Sequence, residues 1–373
     1  MKVLLFANTD WYLYNFRLSL ARALRAHGHE VILLSPPGEY GKLLTQDGFR
    51  WIPFPFSRGI NPWAEVTTLL RLMALYLRER PELVHHFTIK CVLYGGIAAL
   101  CARVRAIVSS VTGLGHVFVT DTPINLFLRW VVSPVFRYVL RRSHVIFQNP
   151  DDLREFLRLG LADEGRCHLV RGSGVDTEYF SPTDVPRKMG PPTVLMVGRL
   201  LREKGVREFV EAGAIVRETL PAARFLLAGD PDPGNPSSIE ERTVEEWRRQ
   251  GDVTFLGHRS DIRDLTQSAD LAVLPSYREG MPRSLLEAAA CGLALVASDV
   301  PGCREVVAHG VNGLLVPPRD SRRLAEAIVD LLGDRERREA MGKCSRAMAC
   351  DLFSQEHVTR ETLEVYARAT QNN

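Results

Sequence analysis

The chain has 373 residues, of which 46% are hydrophobic and 24% charged, with a formal net charge of +3. That length suits two domains with separate cores, and the composition is that of a soluble globular protein rather than a disordered or fibrous one. So small a charge gives no argument for nucleic acid, and none is expected as a partner. The seven cysteines are scattered without a CxxC pair, so they read as small core residues in a reducing compartment, not as a disulfide frame or zinc site.

The amino terminus, MKVLLFANTD, is too short in its apolar part for a signal peptide and reads as a first strand. Strands are predicted at 3–6, 31–34, 51–53, 83–86, 106–110, 145–148 and 168–170, with helices at 16–26, 64–78, 93–101 and 151–159. This βα alternation predicts a doubly wound parallel sheet over 1–180. Polar residues follow several of its strands. NTDWYLYNFR offers Asn15 and Arg17 and lacks the glycine-rich dinucleotide fingerprint. HHFTIK offers Thr88 and Lys90. TGLGHVF has Gly113 and Gly115, which let backbone turn beside a ligand, before His116, which either donates to a sugar hydroxyl or phosphate or caps the turn. His85 and His86 are adjacent on a strand, face opposite ways and lack a third ligand, so no metal is expected there.

No run of 18 clean apolar residues occurs, so no spanning helix is expected. The nearest, INLFLRWVVSPVFRYVL at 124–140, mixes Arg129 and Arg137 with Trp130, Phe136 and Tyr138, and Arg141 and Arg142 follow it. It reads either as a packed helix pair or as a surface resting on an anionic bilayer.

SPTDVPRKMGPP at 181–192 is rich in proline and charge and is the expected linker. A second α/β series follows over 193–350. Its strands are predicted at 193–197, 224–228, 253–255, 271–274, 295–297 and 314–316, and its helices at 205–218, 239–250, 262–267, 284–291, 303–308 and 322–332. A last helical stretch, 356–368, stands outside that series, and residues 351–373 are expected to return to the first domain. Ligands are expected at the carboxyl ends of the strands, in a cleft between the two sheets.

The second series carries the densest chemistry. VLMVGRLLREKG places Gly198, Arg199 and Lys204 after a strand, where a glycine admits close approach and two cations suit charge developing on a diphosphate. Gly229 follows the next strand. His258 and Ile262 follow the third, where the backbone at His258 suits a nucleobase. EGMPRSLLE at 279–287 then sets Glu279 and Glu287 on either side of a helix start near Arg283. Orphan N–H groups and the helix dipole favour an anion there, next to Gly280 and Met281. The pattern suits a nucleotide-sugar, with phosphate on the helix start and hydroxyls on the carboxylates; the other reading is two surface charges.

GRLLREKG at 198–205, EGMPRSLLE at 279–287 and SDVPGCREVVAHGVNGLLVPPRD at 298–320 resemble, in order and spacing, the retaining nucleotide-sugar glycosyltransferases of family 4. The likeness covers essentially the whole chain. It implies the GT-B fold, an α/β architecture of two Rossmann-like doubly wound domains facing across a cleft. It also implies retaining transfer from a UDP-sugar substrate, with neither metal nor other cofactor. Arg199 and Lys204 are then implied to bind the donor diphosphate, Glu279 and His116 the transferred sugar, the Gly280 and Met281 backbone the same region, and Glu287 the ribose.

NTDWYLYNFRLSLARAL, HHFTIKCVLYG and SSVTGLGHVF are similar to a narrower group, the bacterial enzymes that extend saccharides on undecaprenyl diphosphate. This implies transfer of N-acetylgalactosamine, N-acetylglucosamine or a hexose in the synthesis of O-antigen, capsule or glycoprotein glycans. Asn15, Arg17, Thr88, Lys90, Gly113 and Gly115 are the candidate acceptor contacts. The implied partners are the UDP-sugar, the lipid-linked saccharide and anionic lipids, at the inner face of the cell membrane. In place of the glycine-rich first loop of many family members, this chain has Asp10, Trp11 and Tyr12. The alternatives are the same chemistry on a soluble or other lipid acceptor, or a non-catalytic nucleotide- or glycan-binding scaffold.

Overall fold

β1 (Lys2–Phe6) buries Val3 and Leu5 in one core and Leu4 and Phe6 in another. Side chains alternate across a strand, so a run that is apolar throughout needs a covering layer on each face. A computed structural model describes residues 1–56, 62–111, 133–183 and 190–371. It divides into two compact units, one formed by Met1–Ser173 with Val358–Asn373 and the other by Gly174–His357.

In the first unit β1 is joined by β2 (Glu30–Ser35), β3 (Arg50–Pro53), β4 (Leu83–Phe87), β5 (Ala106–Val111), β6 (His144–Phe147) and β7 (Cys167–Leu169). All pairs are parallel, in the order β3-β2-β1-β4-β5-β6-β7. The helices Pro62–Glu79 and Ile89–Cys101 supply Leu72, Tyr76, Cys91 and Ala98 to one face. The helix Leu18–Ala26 and the C-terminal helix Gln355–Gln371 cover the other. The C-terminal helix buries Val358, Val365, Tyr366 and Ala369, a stripe at helical spacing. This is the return to the first sheet that the sequence predicts. Tyr366 reaches between strands, where its hydroxyl lies 2.6 Å from Nδ1 of the fully buried His85, and Nε2 of that ring lies 2.7 Å from the Ser110 hydroxyl.

The second unit contains β8 (Thr193–Val197), β9 (Arg224–Ala228), β10 (Thr254–Gly257), β11 (Leu271–Leu274), β12 (Ala294–Ser298) and β13 (Gly313–Val316), parallel in the order β10-β9-β8-β11-β12-β13. Both sheets therefore start in the middle, grow to one edge and then restart on the other side, which is the Rossmann-like winding. The guanidinium of Arg346, on the helix Arg335–Leu352, donates to the carbonyls of Thr177, Phe180 and Ala290. It ties that helix to the chain entering the unit.

Several elements differ from expectation. The predicted helix 16–26 is divided into a π-helical turn, Leu13–Arg17, and a helix that begins at Leu18. The helix expected at 93–101 begins at Ile89, directly after Thr88 turns the chain at φ 70°. The helices Tyr40–Gln46 and Arg335–Leu352 escape the sequence reading. The second buries Met341, Gly342, Ser345 and Ala349, a stripe mostly too small to register as apolar periodicity. Phe136, for which the sequence left both a packed helix pair and a bilayer surface open, is fully buried and packs edge-on against Phe156 at 6.0 Å. Tyr138 is exposed beneath the Arg142 guanidinium, while Arg129 and Trp130 lie outside the described residues.

Burial holds His86 down at about 3, and Tyr76 contributes a hydroxyl 3.0 Å from its Nε2. The unfolded chain takes up this proton near pH 6.5 and the folded chain does not. Stability is therefore complete above that pH and declines as pH falls from about 6.5 toward 3, by at most about 1.4 kcal/mol per pH unit for this ring. Urea titrations at pH 7, 6 and 5 are expected to show the first unit weakening with acid, with a slope shallower by about one proton in His86→Leu.

Candidate functional site

Reversal of strand order between β8 and β11 makes the loops that follow these two strands neighbours. The first loop runs from Gly198 to Gly205. At Gly205 φ is 72°, and a Cβ there would stand 2.1 Å from the Pro275 carbonyl oxygen, so only glycine lets the two loops touch. Their contact brings Lys204 Nζ to 2.6 Å from Glu279 Oε1. Ser276 donates to the same oxygen at 2.7 Å. The pair is largely enclosed, with Lys204 23% and Glu279 11% exposed. Charge-assisted bonds of this length are strong and directional.

A third loop supports this pair. Gly302, at φ 81°, lies so close beneath Glu279 and Gly280 that a Cβ would approach both their carbonyl oxygens to 2.6 Å. Cys303 follows it, fully buried, and burial together with the Glu279 carboxylate pushes its thiol far above the ordinary range. It therefore stays neutral. The sequence reading passes over Gly302 and Cys303; the Pro301–Gly302 pair in SDVPGC is the local turn signal that marks them.

The helix Arg283–Ala290 starts at the predicted place. Pro282 occupies its N-cap position and no side chain caps it. Arg283 donates to Glu287 one turn later at 2.7 Å. Burial raises the Glu287 carboxyl above its usual range, and Arg283 opposes that shift. Arg199 is more open, 60% exposed, and pairs with Asp232 at 2.6 Å. Thus Lys204 and Glu279 meet directly, whereas Arg199 and Glu287 each hold another partner.

The remaining predicted donor residues lie at the carboxyl ends of strands. Gly198 donates its N–H to Ala228, and a Cβ on it would meet nothing within 4 Å, so the space beside it is open. Gly229 donates to Gly257 at 2.8 Å. His258 is exposed after Gly257, and Ile262 opens the helix Ile262–Ser268 while packing on the core. Gly280 and Met281 are partly buried, with Met281 against the core.

In the first unit the corresponding switch lies between β1 and β4. The loop after β1 is organised by Asp10, only 5% exposed, whose carboxylate accepts from the N–H groups of Trp11 and Gly41. Arg17 closes the π-helical turn, also 5% exposed. Its guanidinium lies 4.4 Å from the Phe87 ring centre and donates to the Tyr12 hydroxyl at 2.9 Å. Its Nε has no partner among the described residues. Asn15 donates back to the Trp11 carbonyl, and Lys90 pairs with Glu65 at 2.7 Å. Thr88 follows β4 and precedes the helix Ile89–Cys101. Gly113, Gly115 and His116 lie outside the described residues. Among the described residues no three His, Cys, Asp or Glu side chains converge as metal ligands.

Comparison with known proteins adds identity to this geometry. The family profile "Glycosyl transferases group 1" matches residues 191–334, and "Glycosyl transferase 4-like" matches residues 2–149. The chain is 30% identical, over 96% of both sequences, to the N,N'-diacetylbacillosaminyl-diphospho-undecaprenol alpha-1,3-N-acetylgalactosaminyltransferase of Campylobacter jejuni. It is 27% identical to the UDP-Gal:alpha-D-GlcNAc-diphosphoundecaprenol alpha-1,3-galactosyltransferase of Escherichia coli, over 74% of this chain and 73% of that one. Its fold matches that of Anabaena Alr3699/HepE, a structure in complex with UDP and glucose, with a TM-score of 0.80 over 99% of this chain and 100% of that chain at 21% identity. With end-to-end likeness to one transferase and a family profile on each half, the chain belongs to the group 1, family 4-like glycosyl transferases.

Proposed function

We propose that this glycosyltransferase moves an N-acetylhexosamine or hexose from a UDP-sugar to a saccharide carried on undecaprenyl diphosphate, with retention at the anomeric carbon. The observation that carries the reading is the Lys204–Glu279–Ser276 cluster at the switch point of the second sheet, with an uncapped helix start following in the same loop. It offers a cation for a diphosphate and a carboxylate for sugar hydroxyls. The names of the C. jejuni and E. coli relatives, both acting on diphospho-undecaprenol saccharides, support the acceptor class.

In this mechanism Lys204 exchanges its Glu279 partner for the donor phosphates, and Arg199 adds a second cation as the diphosphate departs. Glu279 then accepts from hydroxyls of the transferred sugar, Glu287 from the ribose, and the N–H groups from Gly280 to the helix start hold phosphate. His116 is assigned to the donor sugar. The acceptor hydroxyl attacks from the face that the diphosphate leaves. The sugar–phosphate C–O bond breaks as the new glycosidic bond forms, and a phosphate oxygen takes the acceptor proton. No enzyme carboxylate then acts as nucleophile, unlike the paired acids of retaining glycosidases. For the acceptor, the buried Arg17 is the leading contact because no described carboxylate neutralises it. Asn15, Thr88, Lys90, Gly113 and Gly115 are assigned around it.

The lipid-linked acceptor calls for a membrane-facing surface on the first unit. No described helix is long and apolar enough to cross a bilayer. The helix Pro62–Glu79 instead exposes Trp63 (83%), Val66 (52%), Leu70 (58%) and Leu77 (57%) along one face, with Arg71 and Arg78 exposed beside them. An apolar stripe with arginines at its border suits an anionic interface and supports the reading of peripheral attachment at the inner membrane face.

A screen of UDP-sugars against undecaprenyl-diphosphate-linked saccharides, with NMR of the product, is expected to give an α-linked product from an α-linked donor; an inverted linkage refutes the mechanism. Lys204→Ala is expected to lower kcat by about 100-fold or more while the protein remains folded, because its contact strengthens in the transition state. Flotation with anionic liposomes is expected to recover the wild type but little of a Trp63→Ser, Leu70→Ser, Leu77→Ser triple variant. Equal recovery of the two folded proteins removes this helix as the anchor.

A further inference from the structure

A pocket of about 490 Å³ opens in the second unit, and none of the residues assigned to the donor lines it. Its walls come from the loop after β8, the first turns of the helices Val206–Thr219 and Glu241–Gln250, Tyr277, and the loop after β13. Arg202, Arg207 and Arg319 surround it, and no described carboxylate pairs with any of the three. Arg319 sits at φ 62°, a left-handed backbone that a branched-chain-free but bulky residue adopts only where its surroundings hold it, and its guanidinium lies 4.6 Å from the Tyr277 ring centre. Glu208 is 6% exposed. Its Oε1 accepts from the Tyr277 hydroxyl at 2.7 Å, but its Oε2 is buried without a partner among the described residues. A carboxylate oxygen in that state calls for a hydrogen-bond donor. Trp247 supplies an apolar wall, and Thr243 and Glu240 complete the polar lining.

Three guanidinium groups that no described carboxylate neutralises select a phosphate or another compact anion. A buried carboxylate oxygen lacking a donor, next to an indole, selects a hydroxyl-bearing ring. We propose that this pocket is a second small-molecule site, for a phosphorylated sugar, with its phosphate among Arg202, Arg207 and Arg319, a hydroxyl donating to Glu208 Oε2 and the ring against Trp247. Tyr277 also donates its N–H to the Glu203 carbonyl at 2.8 Å and stands two residues before Glu279. The pocket therefore borders the loop pair that holds Lys204 and Glu279, and only its separateness from the donor site rests on the donor reading.

Isothermal titration calorimetry of the full chain tests the site, with glucose 1-phosphate, inorganic phosphate and glucose as probes, each with and without saturating UDP. Glucose 1-phosphate is expected to bind once per chain in both conditions, about tenfold or more tighter than inorganic phosphate, and glucose not detectably. Arg207→Ala with Arg319→Ala, both exposed positions, is expected to weaken glucose 1-phosphate by about tenfold or more while leaving UDP affinity unchanged. Glu208→Gln keeps an acceptor for Tyr277 and is expected to narrow the preference for glucose 1-phosphate over phosphate. No binding at millimolar probe, loss of binding under UDP, equal affinity for inorganic phosphate, or indifference to the arginine substitutions each overturns the proposal. Failure of UDP itself to bind counts against the donor reading and leaves the UDP-free titration to judge the pocket.

Discussion

The seat of β8 between β9 and β11 is the constraint on which the second unit's chemistry depends. From there the chain builds outward on one side through β9 and β10 and must restart on the other at β11. The loops leaving β8 and β11 then diverge to opposite faces of the sheet and leave an opening at its edge. Gly205 against Pro275 and Gly302 against Glu279 and Gly280 bring three loops into contact at that opening. A side chain at either position would separate them. Lys204 and Glu279, 75 residues apart, meet at 2.6 Å because the backbones beneath them touch.

That ion pair is weak evidence of stability. Removing two charges from water offsets most of their attraction, and a pair of similar packing quality made of apolar groups would serve folding as well. Its position suits exchange instead. In the proposed exchange Glu279 keeps the Ser276 hydroxyl while Lys204 turns to a phosphate, so the carboxylate is not abandoned in a buried place. Cys303 beneath it stays protonated and adds no competing charge. Glu287 is handled in a parallel way, with Arg283 one helical turn away offsetting the burial that raises its carboxyl.

The first unit uses the same winding with different contents. Its switch-point loops carry a buried arginine lying against Phe87, set at the end of a π-helical turn, where the second unit has a glycine-flanked cation–carboxylate pair. Local π-helical geometry within α-helices is often found at functional sites. The neutral His85 ring below, between Tyr366 and Ser110, links the C-terminal helix to the sheet that supports this loop. Burial, then the nearby Arg17 cation, holds that histidine well below its ordinary range.

Much of this was legible from residue order. Continuous apolar runs bounded by polar loops marked the parallel strands, because a strand covered on both faces has no polar side. GRLLREKG and EGMPRSLLE placed Lys204, Glu279 and the helix start near Arg283, since strand–loop–helix punctuation is local. The helix Arg335–Leu352 was not legible: its buried stripe includes Gly342, Ser345 and Ala349, small residues that act through distant contacts, with Gly342 close to the Gly292 carbonyl and Ser345 donating to the Asn312 carbonyl at 3.1 Å. Phe136 stayed between two readings because an aromatic residue between arginines has the same local pattern whether it faces lipid or Phe156. The sequence by itself determined the succession of strands, the doubly wound class and the residues at the strand ends. Only the tertiary structure decided that Lys204 pairs with Glu279 while Arg199 turns to Asp232, that Gly302 and Cys303 support the pair, and that Arg17 is buried. Pairings across long separations depend on which backbones touch, and that is a property of packing rather than of neighbouring residues.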